Sequence, residues 1–147
     1  MIIDCHGHYT TAPKALEDWR NRQIAGLEDR AVAPKAAELA ISDDDLRASI
    51  ETNQLARMKE RGSDLTIFSP RASFMAHHIG NFETSATWAA ICNELCYRVS
   101  RLFPDHFIGA AMLPQSPGVD PKTCIPELER CVTEYGFVAI NLNPDPS

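Results

Sequence analysis

No long hydrophobic run occurs in this 147-residue sequence: its longest apolar stretch is about six residues, around Ile108 to Leu113, far short of the ~20 that cross a bilayer. A basic segment leading into an apolar one is also missing at the start, so the expectation is a cytoplasmic protein with no membrane partner. Positive charge is in short supply. Fourteen Lys and Arg against 20 Asp and Glu give a formal net charge of −6, and the scattered cations do not form the clustered surface that binds phosphate backbones. No nucleic-acid partner is expected. No Gly-rich loop follows the first apolar run, which removes the main support for a nucleotide-binding doubly wound sheet. The five cysteines (Cys5, Cys92, Cys96, Cys124, Cys131) are odd in number and lack CxxC spacing, so they make neither a disulfide framework nor a zinc ribbon. Helical spacing puts Cys92 with Cys96, and Cys124 with Cys131, on single faces as small apolar packing residues of a protein kept reduced.

What is present is an ordinary globular composition, 44% apolar and 23% charged, in a chain long enough to hide roughly 70% of its unfolded surface in one domain. Ile2 to Cys5 reads as a first strand. Thr11 offers an N-cap with Pro13 in the first turn of a helix that Gly26 closes. Ser42-Asp43-Asp44-Asp45 resembles a capping box, and the helix it starts runs to about Arg61, with Gly62 as a left-handed stop. Leu65 to Ser69 is a β-branched and aromatic strand ended by Pro70. Trp88, Ile91, Cys92, Leu95, Val99 and Leu102 then share one helical stripe before Pro104. Phe107 to Leu113 gives a third strand, Asp120-Pro121 starts a helix that Gly136 ends, and Phe137 to Asn141 gives a fourth strand.

This alternation of strand and helix forces parallel strands with right-handed crossovers. It predicts an α/β fold made of (β/α) units. A complete (β/α)8 barrel needs about 250 residues, and only four strands are seen, so the expectation is the first half of a TIM-like barrel.

The segment Asp4-Cys5-His6-Gly7-His8 carries the clearest chemistry. On a regular strand His6 and His8 point to one face, with Asp4 beside them and Cys5 turned away to pack against a helix. Two neutral imidazoles at a strand's C-terminal end suit zinc or another divalent ion, and active sites of barrels lie on that rim. A catalytic zinc usually has three protein ligands, and the remaining histidines do not complete the set. His77 or His78, after the second strand, could face the site, against the plainer reading of loop histidines. His106, at the entrance to the third strand, reads as structural. Arg71 ends the second strand, where a guanidinium could clamp a substrate carboxylate. Asn141 and Asn143 alternate onto one face at the end of the fourth strand, as substrate-binding amides or as caps of the turn at Pro144. Ser69 and Ser73 show no base partner for a nucleophile role.

At Asp4-x-His6-x-His8 the chain resembles the amidohydrolase superfamily, and more narrowly the branch that contains the metal-dependent decarboxylases of aromatic catabolism. The stretches Met1 to Tyr9, Phe68 to Met75 and Ala111 to Gly118 are most similar to the hydratases of the protocatechuate 4,5-cleavage pathway. The resemblance runs along essentially the whole chain but covers only the N-terminal part of such an enzyme. It implies a zinc-dependent lyase that adds water across a C=C bond of a small polycarboxylate, 4-oxalomesaconate, with His6 and His8 as the first two metal ligands. A histidine after strand five, an acidic residue after strand eight and a later catalytic histidine of that family would lie beyond residue 147. The catalytic residues are accordingly unassigned, and a truncated product is the expectation. Open sheet edges on a half barrel invite a homo-oligomer. Two other readings remain: a hydrolase or decarboxylase of the same superfamily, and a non-catalytic α/β module that assembles through those edges.

Overall fold

The computed structural model describes residues 1–71 and 75–143. Four strands, β1 (Ile3–Tyr9), β2 (Leu65–Pro70), β3 (Phe107–Met112) and β4 (Ala139–Asn141), lie in the order β1-β2-β3-β4 with every neighbouring pair parallel. Five α-helices lie between them: α1 (Lys14–Ala25), α2 (Asp43–Ser49), α3 (Ala56–Arg61), α4 (Phe82–Leu102) and α5 (Ile125–Thr133). Sequential parallel strands joined through helices are the repeating unit of a barrel. The expected first half of one is what the chain forms. Pro144 and Ser73 fall outside the described residues, so the turn-capping reading at Pro144 and the reading of Ser73 go no further.

Most boundaries follow local chemistry. Ser42 accepts the Asp45 N–H while the Asp45 carboxylate reaches back to the Ser42 N–H, completing the capping box of α2. Gly62 stops α3 at φ 70°, a backbone state that costs a residue with a Cβ. Thr11 departs from its expected role. Helix α1 starts at Lys14 after Pro13 with no side-chain cap, because the Thr11 hydroxyl is drawn to Ser49 and Gln54 on another helix.

The core sits between the outer side of the sheet and the helices. Trp88, Ala89, Cys92, Cys96 and Val99 of α4 pack with Phe68 and Phe107 of β2 and β3, all buried. Trp88 also stacks on Trp19 of α1 with ring centroids 6.1 Å apart. Cys92, Cys96, Cys124 and Cys131 are buried as expected, and burial pushes the Cys92, Cys96 and Cys131 thiols up, Cys131 to about 12. Such thiols stay protonated and unreactive. Asn93, fully buried, ties α4 to the end of β3 by exchanging hydrogen bonds with the N–H and carbonyl of Met112. No helix among the described residues is long and apolar enough to cross a membrane.

Candidate metal centre

Strand β1 is not regular where the chemistry lies. Asp4 pairs with Thr66 and Gly7 with Phe68, so three steps on β1 oppose two on β2. The extra residue makes a bulge at Cys5 and His6. Two expectations fail for this reason. Asp4 keeps register with Thr66 on the helix side of the sheet, out of phase with His8, which pairs with Ser69; there it borders a cleft that His6 and His8 also reach, and its carboxylate accepts the His6 N–H at 3.0 Å. Cys5, expected to pack against a helix, is exposed and lines the cleft on the inner face with His6, His8, Ile67 and Asn141.

Gly7 makes the bulge possible. A Cβ there would stand 2.0 Å from Thr66 Cγ2, so a residue with a side chain cannot bring β1 this close to β2.

Beyond the bulge the two imidazoles converge. His6 Nε2 and His8 Nε2 are 3.2 Å apart, with the rings edge-on at 82°. Two nitrogens held at ~2.0–2.1 Å by one tetrahedral zinc stand about 3.3 Å apart. The pair therefore has the bite of a metal chelate. His8 is oriented from behind: its Nδ1 lies 2.7 Å from Ser69 Oγ and 3.1 Å from the Pro70 carbonyl oxygen. A carbonyl only accepts, so in the neutral ring Nδ1 carries the proton and the Nε2 lone pair is left facing the cleft. Ser69 Oγ in turn donates to the Gly7 carbonyl at 3.1 Å and receives the Asn141 amide at 3.4 Å. Backing of this kind fixes ring orientation and tautomer in metal sites.

Among the described residues no group of three or more His, Cys, Asp or Glu is placed to hold a metal. His6 and His8 offer two nitrogens, short of a complete ligand set.

The candidate substrate residues divide. Asn141 joins the histidine cleft through Ser69. Asn143, two residues on, turns to His77, with its amide 2.7 Å from His77 Nδ1, and exchanges hydrogen bonds with Gln115. His77 is buried and borders a separate cleft of about 440 Å³ with Gln115, Ser116 and Leu142. Arg71 follows Pro70 directly, is exposed, and borders a crevice with Tyr9, Leu16 and Cys92 on the helix side. It is not among the residues lining the histidine cleft. His78 is exposed, and His106 stands at the start of β3, where its carbonyl accepts the Thr66 N–H.

A profile described as Amidohydrolase matches residues 3–147. The chain belongs to the amidohydrolase family. It is 56% identical over 146 residues to a 2-keto-4-carboxy-3-hexenedioate hydratase of Sphingobium sp. strain SYK-6, covering 99% of this chain and 42% of that protein. Over its whole length it superposes on the crystal structure of 4-oxalomesaconate hydratase from Rhodopseudomonas palustris with a TM-score of 0.95 and 79% identity, covering 44% of that chain. A dihydroxybenzoic acid decarboxylase from Polaromonas sp. JS666, solved with bound manganese and 2-nitroresorcinol, aligns over 97% of this chain and 38% of its own length at 26% identity and a TM-score of 0.60. The amidohydrolase chain thus spans less than half the length of these relatives.

Ser69 and Gln54 are the site residues that sequence reasoning missed. Ser69 carries a usable signal: as the penultimate residue of β2 it pairs in register with His8. Gln54 carries none, because its approach to β1 depends on a helical irregularity that no spacing rule foretells.

Proposed function

We propose that residues 1–147 form the N-terminal part of one amidohydrolase (β/α)8 barrel and that His6 and His8 supply two of the ligands for a divalent metal, zinc. The observation that carries this is the 3.2 Å approach of the two Nε2 atoms, with the His8 tautomer set by the Pro70 carbonyl. A metal held there supplies a Lewis acid for an oxo or carboxylate oxygen.

The reaction is the addition of water across a C=C bond of 4-oxalomesaconate, a hydroxyl going to one carbon and a proton to its neighbour, in protocatechuate 4,5-cleavage catabolism in the cytoplasm. The identities of 79% and 56% to two hydratases, against 26% to the decarboxylase, favour this over decarboxylation. The residues of this chain bind and orient. Asn141, anchored on Ser69, offers its amide on the inner face for a substrate oxygen, and Arg71, at the β2 end but outside that cleft, supplies positive charge that draws a polycarboxylate to this rim. Asn143 and His77 brace the neighbouring loop and take the far end of the substrate. Self-association through the open sheet edges accompanies this reading.

Zinc content of the purified chain, paired with a hydration assay on 4-oxalomesaconate, tests the proposal. Zinc retained by the chain and lost from His6→Ala supports it. A chain that keeps no zinc after dialysis, or keeps it equally without His6, overturns it.

A further inference from the structure

The helical segment from Asp43 to Arg61 is continuous, but its middle turn, Ile50–Leu55, is a π-helix between α2 and α3. Ser49 immediately precedes that turn and Gln54 lies within it, five residues apart. On a regular α-helix, at 3.6 residues per turn, they would point about 140° away from each other. The i→i+5 geometry of a π turn brings them to one side. Thr52 and Asn53 fit the irregularity, because their side chains take the Ala48 and Ser49 carbonyls.

The side on which Ser49 and Gln54 meet is turned to the exit of β1. The Tyr9 hydroxyl is 2.5 Å from Ser49 Oγ, which itself donates to the Leu46 carbonyl, so Tyr9 is the donor. Thr11 Oγ1 lies 2.5 Å from Gln54 Oε1 and 3.2 Å from the Ser49 carbonyl. Gln54 Nε2 reaches the His8 carbonyl and Thr10 Oγ1, each at 3.4 Å. Every residue from His8 to Thr11 is thus bound to Ser49 or Gln54, at the start of the π turn and within it, through its carbonyl or its hydroxyl. Tyr9 is buried in this contact, and burial raises its phenol to about 12.

We propose that the π turn is a positioning device for the metal ligands, with Gln54 as a positioning residue that acts through His8. Ser69 and Pro70 fix the His8 ring, and the π turn fixes the backbone that carries it. The two together hold Nε2 in reach of His6. This proposal rests on the reading that His6 and His8 bind the metal.

Zinc affinity of the 147-residue chain, measured by competition with a chromophoric chelator and set beside the thermal midpoint, tests it. Gln54→Ala and Thr11→Val are expected to weaken zinc binding about tenfold or more, the range typical of groups that orient metal ligands, with the chain still fully folded at the titration temperature. Thr11→Ser, which keeps the hydroxyl, restores the affinity. If Gln54→Ala does not fold, Thr11→Val and Tyr9→Phe carry the same test. A lowered midpoint with unchanged zinc affinity in the folded variants overturns the proposal. His6→Ala separates the two levels: if it abolishes binding and Gln54→Ala does not weaken it, only the positioning role fails. If His6→Ala leaves affinity unchanged, the metal reading itself fails.

Discussion

Two pairs of histidines lie at the ends of neighbouring strands, and the chain places them in opposite ways. His6 and His8 are separated by Gly7 on β1, partly open to solvent, with nitrogens meeting at 3.2 Å. His77 and His78 are adjacent in a loop after β2; the first is buried against Asn143 and the second exposed, with centroids 6.0 Å apart. Strand spacing of two brings side chains onto a common face, whereas adjacent residues diverge. The first pair has the spacing of a chelate. The second is one imidazole buried against Asn143 and one exposed at the surface.

The strongest way to break this comparison is to remove the first pair. His6→Ala or His8→Ala is expected to lower zinc affinity by about 100-fold or more, since a single imidazole is left on a metal that needs several ligands, while His77→Ala leaves it within about twofold. Chelator competition on the three variants reads the contrast directly. Next comes Gly7→Ala, where the added methyl meets Thr66 Cγ2. A destabilisation of about 2 kcal/mol is expected from overpacking of this kind, and Thr66→Ser, which lacks that methyl, should recover part of it in urea denaturation of the double variant. Ser69→Ala is expected to cost about tenfold in zinc affinity by freeing the His8 ring, measured as for the first pair. The smallest effect belongs to the second pair: Asn143→Ala removes the partner of His77 Nδ1 and should cost about 1 kcal/mol in stability, with no change in zinc binding.

Much of the fold was legible because local signals agreed with tertiary ones. The Ser42–Asp45 box, the Gly62 stop and the α4 stripe each rest on a few neighbouring residues, and all three formed as the sequence implies. Features that depend on contacts distant in sequence were not legible. The bulge at Cys5 and His6 arises from pairing with β2, some sixty residues away, and it reversed the placement of both Asp4 and Cys5. Thr11 looks like a cap until Gln54 is brought beside it. The histidine pair itself survived the bulge, because Gly7 allowed β1 to hug β2 and Ser69 caught His8 from behind.

The same distinction governs β4. Val138, Ile140 and Leu142 alternate to one side and are 59%, 46% and 57% exposed, whereas Ala139 and Asn141 line the inner face with the histidines. The alternation was readable as a strand. Its exposed apolar side matches the helix side of β3, where Ala111 pairs with Ile140 and is fully buried.

The central claim is that His6 and His8 act together on one metal ion. Zinc titration calorimetry of the chain, its His6→Ala/His8→Ala double variant and His77→Ala tests it most directly. One ion per chain, lost in the double variant and kept at equal affinity in His77→Ala, is the predicted result. Zinc bound equally well by the double variant, or not bound by the unaltered chain at all, would contradict it.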